Sequence, residues 1–230
     1  MPRYGTIDFE YAGRLATCPP DGDGPVLMVN FMNYRDRASY DDGSDGGRTG
    51  READDEYAPI HVLTEIGATV AYVGDVIDDS ASTGWHRIGI VQYPSRRSFI
   101  EMQSRPDFQD KHTHKEAGMD HTIVFGVAPR TLSVSAVEGR SARMVFDLVR
   151  HDRGPTAPTS RQAVGPVEGT ILGDGRAWTE LRISWLGEGD DLPAADEVTD
   201  RERVVVHTTI DRLPTLIAAA VPGQSPTTEA

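Results

Sequence analysis

The sequence predicts an α+β protein in which two successive halves, residues 26–129 and 144–222, carry a β-α-β-β-α-β order, the second in degenerate form. Three observations predict it. The stretch from Trp85 to Pro129 reads as strand, helix, strand from its apolar periodicities. Shifted by 93 residues without a gap, it lays Trp85 on Trp178, Ile90 on Ile183, Asp107 on Asp200, His114 on His207, Thr122 on Thr215 and Pro129 on Pro222. Upstream, MVNFMNYRD (Met28 to Asp36) echoes MVFDLVRHD (Met144 to Asp152), so an apolar strand opens each half. Six identities in 45 positions stand only modestly above chance, and the preserved spacing of Trp, His and Pro carries more weight. Two related halves suit one pseudo-symmetric barrel.

After an N-terminal segment, residues 1–25, Val26–Tyr34 alternates and is rich in apolar residues, which predicts the first strand. Arg35–Gly50 is dense in Gly, Asp and Ser and longer than most connections; it reads as a mobile flap or a disordered insert, with the disordered reading favoured. Glu52–Ile66 places Ala53, Tyr57, Ile60, Leu63 and Ile66 at helical spacing, with a kink at Pro59 and a stop at Gly67. Thr69–Ile77 and His86–Tyr93 form strands of a hairpin around DDSASTG. Ser95 caps the next helix, Pro106 breaks or restarts it, and Gly118 ends it before the strand Thr122–Val127. This order is the ferredoxin-like arrangement.

A linker, residues 130–143, leads to the second half. There only 26 residues separate Asp152 from Trp178, against 49 between Asp36 and Trp85, so its first helix is expected to be lost. VEGTILGDGRAWTELRISWL reads as its hairpin, Asp190–Arg203 as a short helix, Val204–His207 as a strand, and residues 223–230 as a disordered tail.

Alternation places Trp85, Arg87, Val91 and Tyr93 on one face of their strand, and Ile88 and Ile90 on the other with His86. The counterpart strand puts Trp178, Glu180, Arg182 and Ser184 opposite Leu181, Ile183 and Trp185. The apolar face is expected to pack on helices, and the mixed face to point into a pocket between two sheets. Trp, Arg, Tyr and Glu there would orient a planar, oxygenated ligand. The plain alternative is that Arg87 and Glu180 pair with each other or sit at a sheet edge.

The formal net charge of −13 and pI near 4.9 repel phosphate backbones and anionic bilayers, which points away from nucleic-acid and membrane partners and toward small molecules or proteins. Cys18 is the only cysteine, so an intrachain disulfide or a cysteine-rich metal site is excluded and a reducing cytoplasm fits. MPRYGTIDFEY lacks the apolar core of a signal peptide. His112, His114 and His121 invite a metal, but residues two apart on a helix point in different directions, which argues against one. His114 is the better general base, because an imidazole titrates near neutral pH, with a structural capping role as its alternative. No nucleophile elbow, dinucleotide glycine fingerprint or phosphate loop is present, so no cofactor is expected.

With the first strand, Trp85 and the Tyr93-Pro94-Ser95-Arg96-Arg97 to Phe99 run in view, the chain resembles the dimeric α+β barrel proteins. RPDFQDKHTHKEAGMDHTIVF is similar to the helix and last strand of an actinobacterial domain-of-unknown-function family in that superfamily, related to antibiotic-biosynthesis monooxygenases, muconolactone isomerases and small polyketide cyclases. The resemblance covers Val26–Pro129 and is weak over Met144–Pro222. It implies tandem ferredoxin-like halves that form a pseudo-dimeric α+β barrel within one polypeptide, as a monomer or as a homodimer through an open edge. In related cofactor-independent oxygenases and cyclases, Asn, Trp, Arg, Tyr or His surround a cavity that takes a polyphenolic or polyketide substrate. This sequence offers Asn30, Asn33, Tyr72, Trp85, Arg87, Tyr93 and His114, none of them in a specific catalytic motif.

The expectation is a cofactor-independent cyclase or isomerase. Arg87 and Tyr93 would polarise oxygen and His114 would move a proton, while Asn30, Tyr72, Trp85, Trp178, Glu180 and Arg182 contact the substrate. The rivals are a cofactor-independent monooxygenase and a non-catalytic small-molecule-binding protein.

Overall fold

The computed structural model describes residues 4–78, 84–135, 137, 140–154, 156–195 and 197–220. In chain order the elements are β1 (Thr6–Ile7), α1 (Phe9–Ala16), β2 (Val26–Tyr34), α2 (Gly50–Tyr57), α3 (Ile60–Glu65), β3 (Thr69–Asp78), β4 (Arg87–Tyr93), α4 (Arg96–Gln103), α5 (Pro106–Gly118) and β5 (Met119–Val127). A 3₁₀ turn (Pro129–Thr131) then leads to β6 (Ser133–Val134), β7 (Arg143–Arg150), β8 (Gln162–Pro166), β9 (Gly169–Gly173), β10 (Glu180–Trp185), β11 (Asp200–Asp211) and α6 (Leu213–Ala220).

Local signals set the boundaries of the first half. Thr49 and Glu52 cap α2 reciprocally, as Ser95 and Ser98 cap α4, and Pro106 opens α5 at a position where its missing N–H costs nothing. Pro59 does more than kink the expected helix. It separates α2 from α3, because a proline disfavours helical backbone at Ala58 before it and supplies no donor of its own. Gly67, at φ 73°, then ends α3.

The strands form one mixed-length antiparallel sheet in the order β1-β9-β5-β2-β4-β3-β11-β7-β10-β8-β6. The block β5-β2-β4-β3 reads fourth-first-third-second in order of appearance, the arrangement of a β-α-β-β-α-β unit. The block β11-β7-β10-β8 reads the same way, without helices between its strands among the described residues. Antiparallel pairing of β3 with β11 joins the blocks.

At the other side the sheet meets itself. β8 pairs with β10, and the chain passes through only Val167 and Glu168 before β9 pairs with β5. Val167 donates its N–H to Thr179, and Glu168 donates to Gly126. Two residues span about 7 Å at most, so the ends of the two blocks are drawn together and an interior is enclosed. Phe31, Ile88, Ile90 and Phe125 from the first block pack there with Phe146, Leu181, Ile183 and Val204 from the second. A second core, with Met28, Met32, Tyr93, Phe99, Met102 and Phe108, lies between the outer face of the first block and its helices.

Several expectations are corrected. Arg35–Gly50 is neither a flap nor a disordered insert: Arg35 and Ser39 donate to the carbonyls of Gly118 and Ala117, Ala38 donates to Arg48, and Ala38 and Tyr40 pack with Ala53 and Ala117. Its backbone groups pair partly with the end of α5 and partly within the segment, which composition does not reveal. The hairpin expected over VEGTILGDGRAWTELRISWL does not pair internally, because β9 is recruited by β5 while β10 lies between β7 and β8. Asp190–Arg203 supplies no helix among the described residues, and β11 begins at Asp200. The DDSASTG turn (residues 79–83 of it) and the tail from 221 lie outside the described residues.

The sequence echoes also change meaning. Ile90 and Ile183 are equivalent, each on the third strand of its block, but Asp107 and His114 lie on α5 whereas Asp200 and His207 lie on β11. Ile90 faces Val29 and Ile183 faces Phe146, so the first strands correspond at an offset one residue longer than the Met28–Met144 echo. The echo superposes Met28, on the helix side, with Met144, in the interior.

Candidate functional site

The expected faces of β4 are reversed. Ile88 and Ile90 fill the enclosed interior, while Arg87, Val91 and Tyr93 look toward the helices. The physical reason is that the interior is walled by two sheets with apolar side chains on both, whereas the helix side supplies carboxylates for an arginine.

Between that outer face and α2–α5 lies a cavity of about 520 Å³, a volume suited to a small organic molecule. Its floor is built by β2 and β4. Met28, Asn30 and Met32 alternate outward from β2, and Asn30 sits opposite Gly89, where the missing side chain leaves room. A Cβ at Gly89 would stand 3.1 Å from the Met32 methyl. The walls are apolar: Leu63, Val91, Phe99, Met102, Phe108 and Leu172.

Into this cavity the helices deliver ionisable groups. Asp54 and Tyr57 come from buried positions of α2; Phe108, His112 and Lys115 recur on one face of α5; Tyr4 approaches from the N-terminal segment. Lys115 Nζ donates to Asn30 Oδ1 at 3.4 Å and lies 5.3 Å from the centre of the Tyr57 ring. Tyr34 donates to Asp54 Oδ2 at 2.7 Å, and Tyr4 and His112 Nε2 share a hydrogen bond of 3.0 Å.

Burial governs their protonation. It pushes the Asp54 carboxyl above its usual range against the opposing charge of Lys115, and pushes the Lys115 ammonium below its usual range against the opposing charge of Asp54. His112 is pushed down to about 4, first by burial and then by the charge of Lys115. The hydroxyls of Tyr4, Tyr57 and Tyr93 are raised, again chiefly by burial. Burial therefore favours the neutral form of each of these groups.

The expected site residues divide among three places. Asn30, Arg87 and Tyr93 line the cavity, and Tyr72 borders it while its hydroxyl meets Thr208 Oγ1 at 3.0 Å. Arg87 is bound on several sides, to Asp55 at 2.7 Å, Asp75 at 3.1 Å and Asp54 at 3.6 Å, so it fastens α2 to the sheet and does not pair with Glu180. Tyr93 donates to Met102 Sδ at 3.7 Å.

Trp85 and Trp178 lie in the enclosed interior instead. Trp85 precedes β4 and escapes its alternation, its Nε1 donating to Glu202 at 2.9 Å, and Arg176 bridges Glu202 to the face of Trp178. Glu180 and Arg182 pair with each other at 2.6 Å on the outer face of the second block, under the segment that contains Thr156. His114 turns to the other side of α5 and meets Tyr40 at 2.7 Å. The single pocket expected from sequence is thus corrected: its aromatic, basic and histidine members are separated by the sheet and by α5.

Asp54, Lys115, His112, Tyr57 and Tyr4 were missed. The signal for two of them, His112 and Lys115, was present in their spacing with Phe108, which is four and then three residues and marks one helical face. Among the described residues no group of three or more His, Cys, Asp or Glu side chains is arranged to hold a metal, and no helix is long and apolar enough to cross a membrane.

Fold and site define an α+β protein with a ligand-sized cavity between one sheet face and its helices. No protein-family model and no curated protein matches the chain. Among solved structures it is similar to the methylated RPA0582 protein, which a second structure describes as a protein of unknown function from Rhodopseudomonas palustris. The methylated form shows 24% identity and a TM-score of 0.48, covering 55% of this chain and 95% of that one. It is also similar to a mutant chlorite dismutase from Candidatus Nitrospira defluvii in complex with cyanide, at 7% identity and a TM-score of 0.48 over 91% of this chain and 98% of that one. A protein provisionally named a monooxygenase, from Lactobacillus acidophilus, shows 8% identity and a TM-score of 0.41 over 81% of this chain and 94% of that one.

Proposed function

We propose that the chain is an isomerase or cyclase that acts by side-chain acid–base chemistry, independent of a cofactor, on a small aromatic or polyketide-like molecule held in the cavity beside Asn30. The observation that carries this reading is the burial of Asp54 and Lys115 in one cavity with largely apolar walls. Neither charge is well solvated there, so a proton passes between this pair and a ligand at lower cost than from a fully hydrated group. Asn30 presents an amide to a ligand oxygen, the methionines and Phe99 accommodate rings, and Arg87 fixes the carboxylate side of α2.

A direct test is deuterium exchange at the α-carbon of 1-indanone in D₂O, followed by NMR with titration of the ketone. Saturable acceleration by the protein is expected, falling by on the order of 10²-fold in Asp54→Asn. Exchange at the buffer rate with no saturable binding would sink the reading. Uptake of oxygen with oxygen added to the ligand would replace it with the monooxygenase, and a bound, unexchanged ligand with a carrier.

The two blocks are read as tandem ferredoxin-like halves of one pseudo-dimeric barrel, the second stripped of its helices. Their common strand order and the seam at Val167–Glu168 support this. Closure within one chain, with two-residue strands β1 and β6 at the sheet's ends, leaves little edge for a partner and supports a monomer, which sedimentation tests.

A further inference from the structure

We propose that Lys115 forms an imine with its ligand, and hence that the cavity takes an aldehyde or a ketone. The proposal rests on the reading that the cavity binds a small molecule bearing a carbonyl, and it deepens it by assigning the covalent step.

A lysine buried against Tyr57 and Asn30 is costly unless its charge is paired, and no ion pair of Lys115 occurs among the described residues. Among the described residues its one side-chain hydrogen bond is to a neutral amide at 3.4 Å, which leaves the nitrogen lone pair free to face the cavity when the amine is neutral. Burial lowers its proton affinity and so increases that neutral fraction. Asp54, held by Tyr34 at 2.7 Å, supplies an acid in the same cavity, and Gly89 leaves the floor open beside Asn30.

The step balances without an oxidant. The Lys115 lone pair forms a C–N bond to the carbonyl carbon while the C=O π pair moves to oxygen, which takes a proton from Asp54. Nitrogen returns a proton to the Asp54 carboxylate. The hydroxyl then leaves as water with a second proton from Asp54 as the nitrogen pair closes the C=N bond. Carbonyl, amine and the Asp54 proton become a protonated imine, water and the Asp54 carboxylate. The protonated imine then acidifies the adjacent C–H, the bond an isomerase or cyclase must break.

The chain has only two lysines, which makes the test internally controlled. Lys111 is exposed to solvent and donates to the Glu56 carbonyl at 3.1 Å, four residues from Lys115 on the same helix. The full chain is incubated near neutral pH with benzaldehyde or 1-indanone and sodium cyanoborohydride, which reduces an imine to a stable secondary amine, and adducts are mapped by peptide mass spectrometry. Labelling of Lys115 at least about tenfold faster than Lys111 is expected. Lys115→Met should lose that adduct while Lys111→Arg keeps it.

Labelling of Lys111 or the terminal amine at a rate equal to or above that of Lys115 overturns the proposal, and this comparison within the wild-type chain does not depend on any variant folding. Line broadening of the ketone in the same samples separates the two failures. A compound that binds saturably without a Lys115 adduct sinks the imine and leaves the acid–base reading, whereas one that neither binds nor reacts sinks both.

Discussion

The guanidinium of Arg96 takes both carboxylate oxygens of Glu168, its Nε donating to Oε2 at 2.9 Å, and so ties the start of α4 to the two-residue bend at which the sheet meets itself. Arg96 is buried and its Nη1 also donates to the carbonyls of Gly22 and Gly24 at 3.1 Å. Glu168→Ala strands a buried cation and should cost about 2–3 kcal/mol in urea unfolding, measured with cavity binding as a second readout. Glu10→Ala, which removes an exposed pair with Arg14, should change stability by no more than about 0.5 kcal/mol. Equal losses in the two variants would deny the seam its structural role.

The seam is also shaped by glycine. Gly126 and Gly169 are register partners, and the ring of Tyr11 from α1 lies over both. A Cβ at Gly126 would fall 2.0 Å from the Tyr11 hydroxyl, so Gly126→Ala should destabilise by about 1–3 kcal/mol. Tyr11→Phe, which removes the clashing oxygen, should recover part of that loss, giving a non-additive double-mutant cycle. Additive losses would contradict the contact.

Acid stability should carry the signature of His112. Its folded-state value of about 4 lies below the usual imidazole value of 6.5 because burial, and then the charge of Lys115, disfavour the imidazolium. Between those values the unfolded chain binds more protons at this site than the folded one, so stability rises with pH across about 4 to 6.5. His112→Gln should flatten the dependence in that window when chemical denaturation is repeated at each pH. An unchanged slope would mean that His112 is not held neutral.

Trp85 and His114 should matter to stability and not to the cavity. Trp85→Phe leaves Glu202 without the indole donor at 2.9 Å and should cost about 1–2 kcal/mol. His114→Ala removes a half-buried contact with Tyr40 and should cost about 1 kcal/mol. Neither variant should alter ketone binding or exchange by more than about twofold, since neither side chain lines the cavity. A tenfold loss in either would return these residues to the site.

Much of the first half was legible because its signals are local. Val26–Tyr34 is bounded as read, Ser95 and Pro106 mark helix starts through groups within three residues of themselves, and Gly67 and Gly118 mark ends. The candidate site was legible only in fragments. Arg87 and Tyr93 were found because alternation groups them on one strand and Asn30 only through the family resemblance, while Asp54 and Lys115 were passed over because single charged residues on helices usually face water.

By itself the sequence determined the class of fold, the order and most limits of the elements through Tyr93 to Val127, and the fact that the two faces of β4 differ. The tertiary structure decided which face turns inward, that β9 leaves its expected hairpin to join β5, and that α5 presents Lys115 to the cavity and His114 to Tyr40. Alternation and capping act over a few residues and are written in neighbouring side chains. Which surface a face meets depends on pairings between residues far apart in the chain, such as His207 with Asp75 or Gly126 with Gly169, and these are fixed only when the whole sheet assembles.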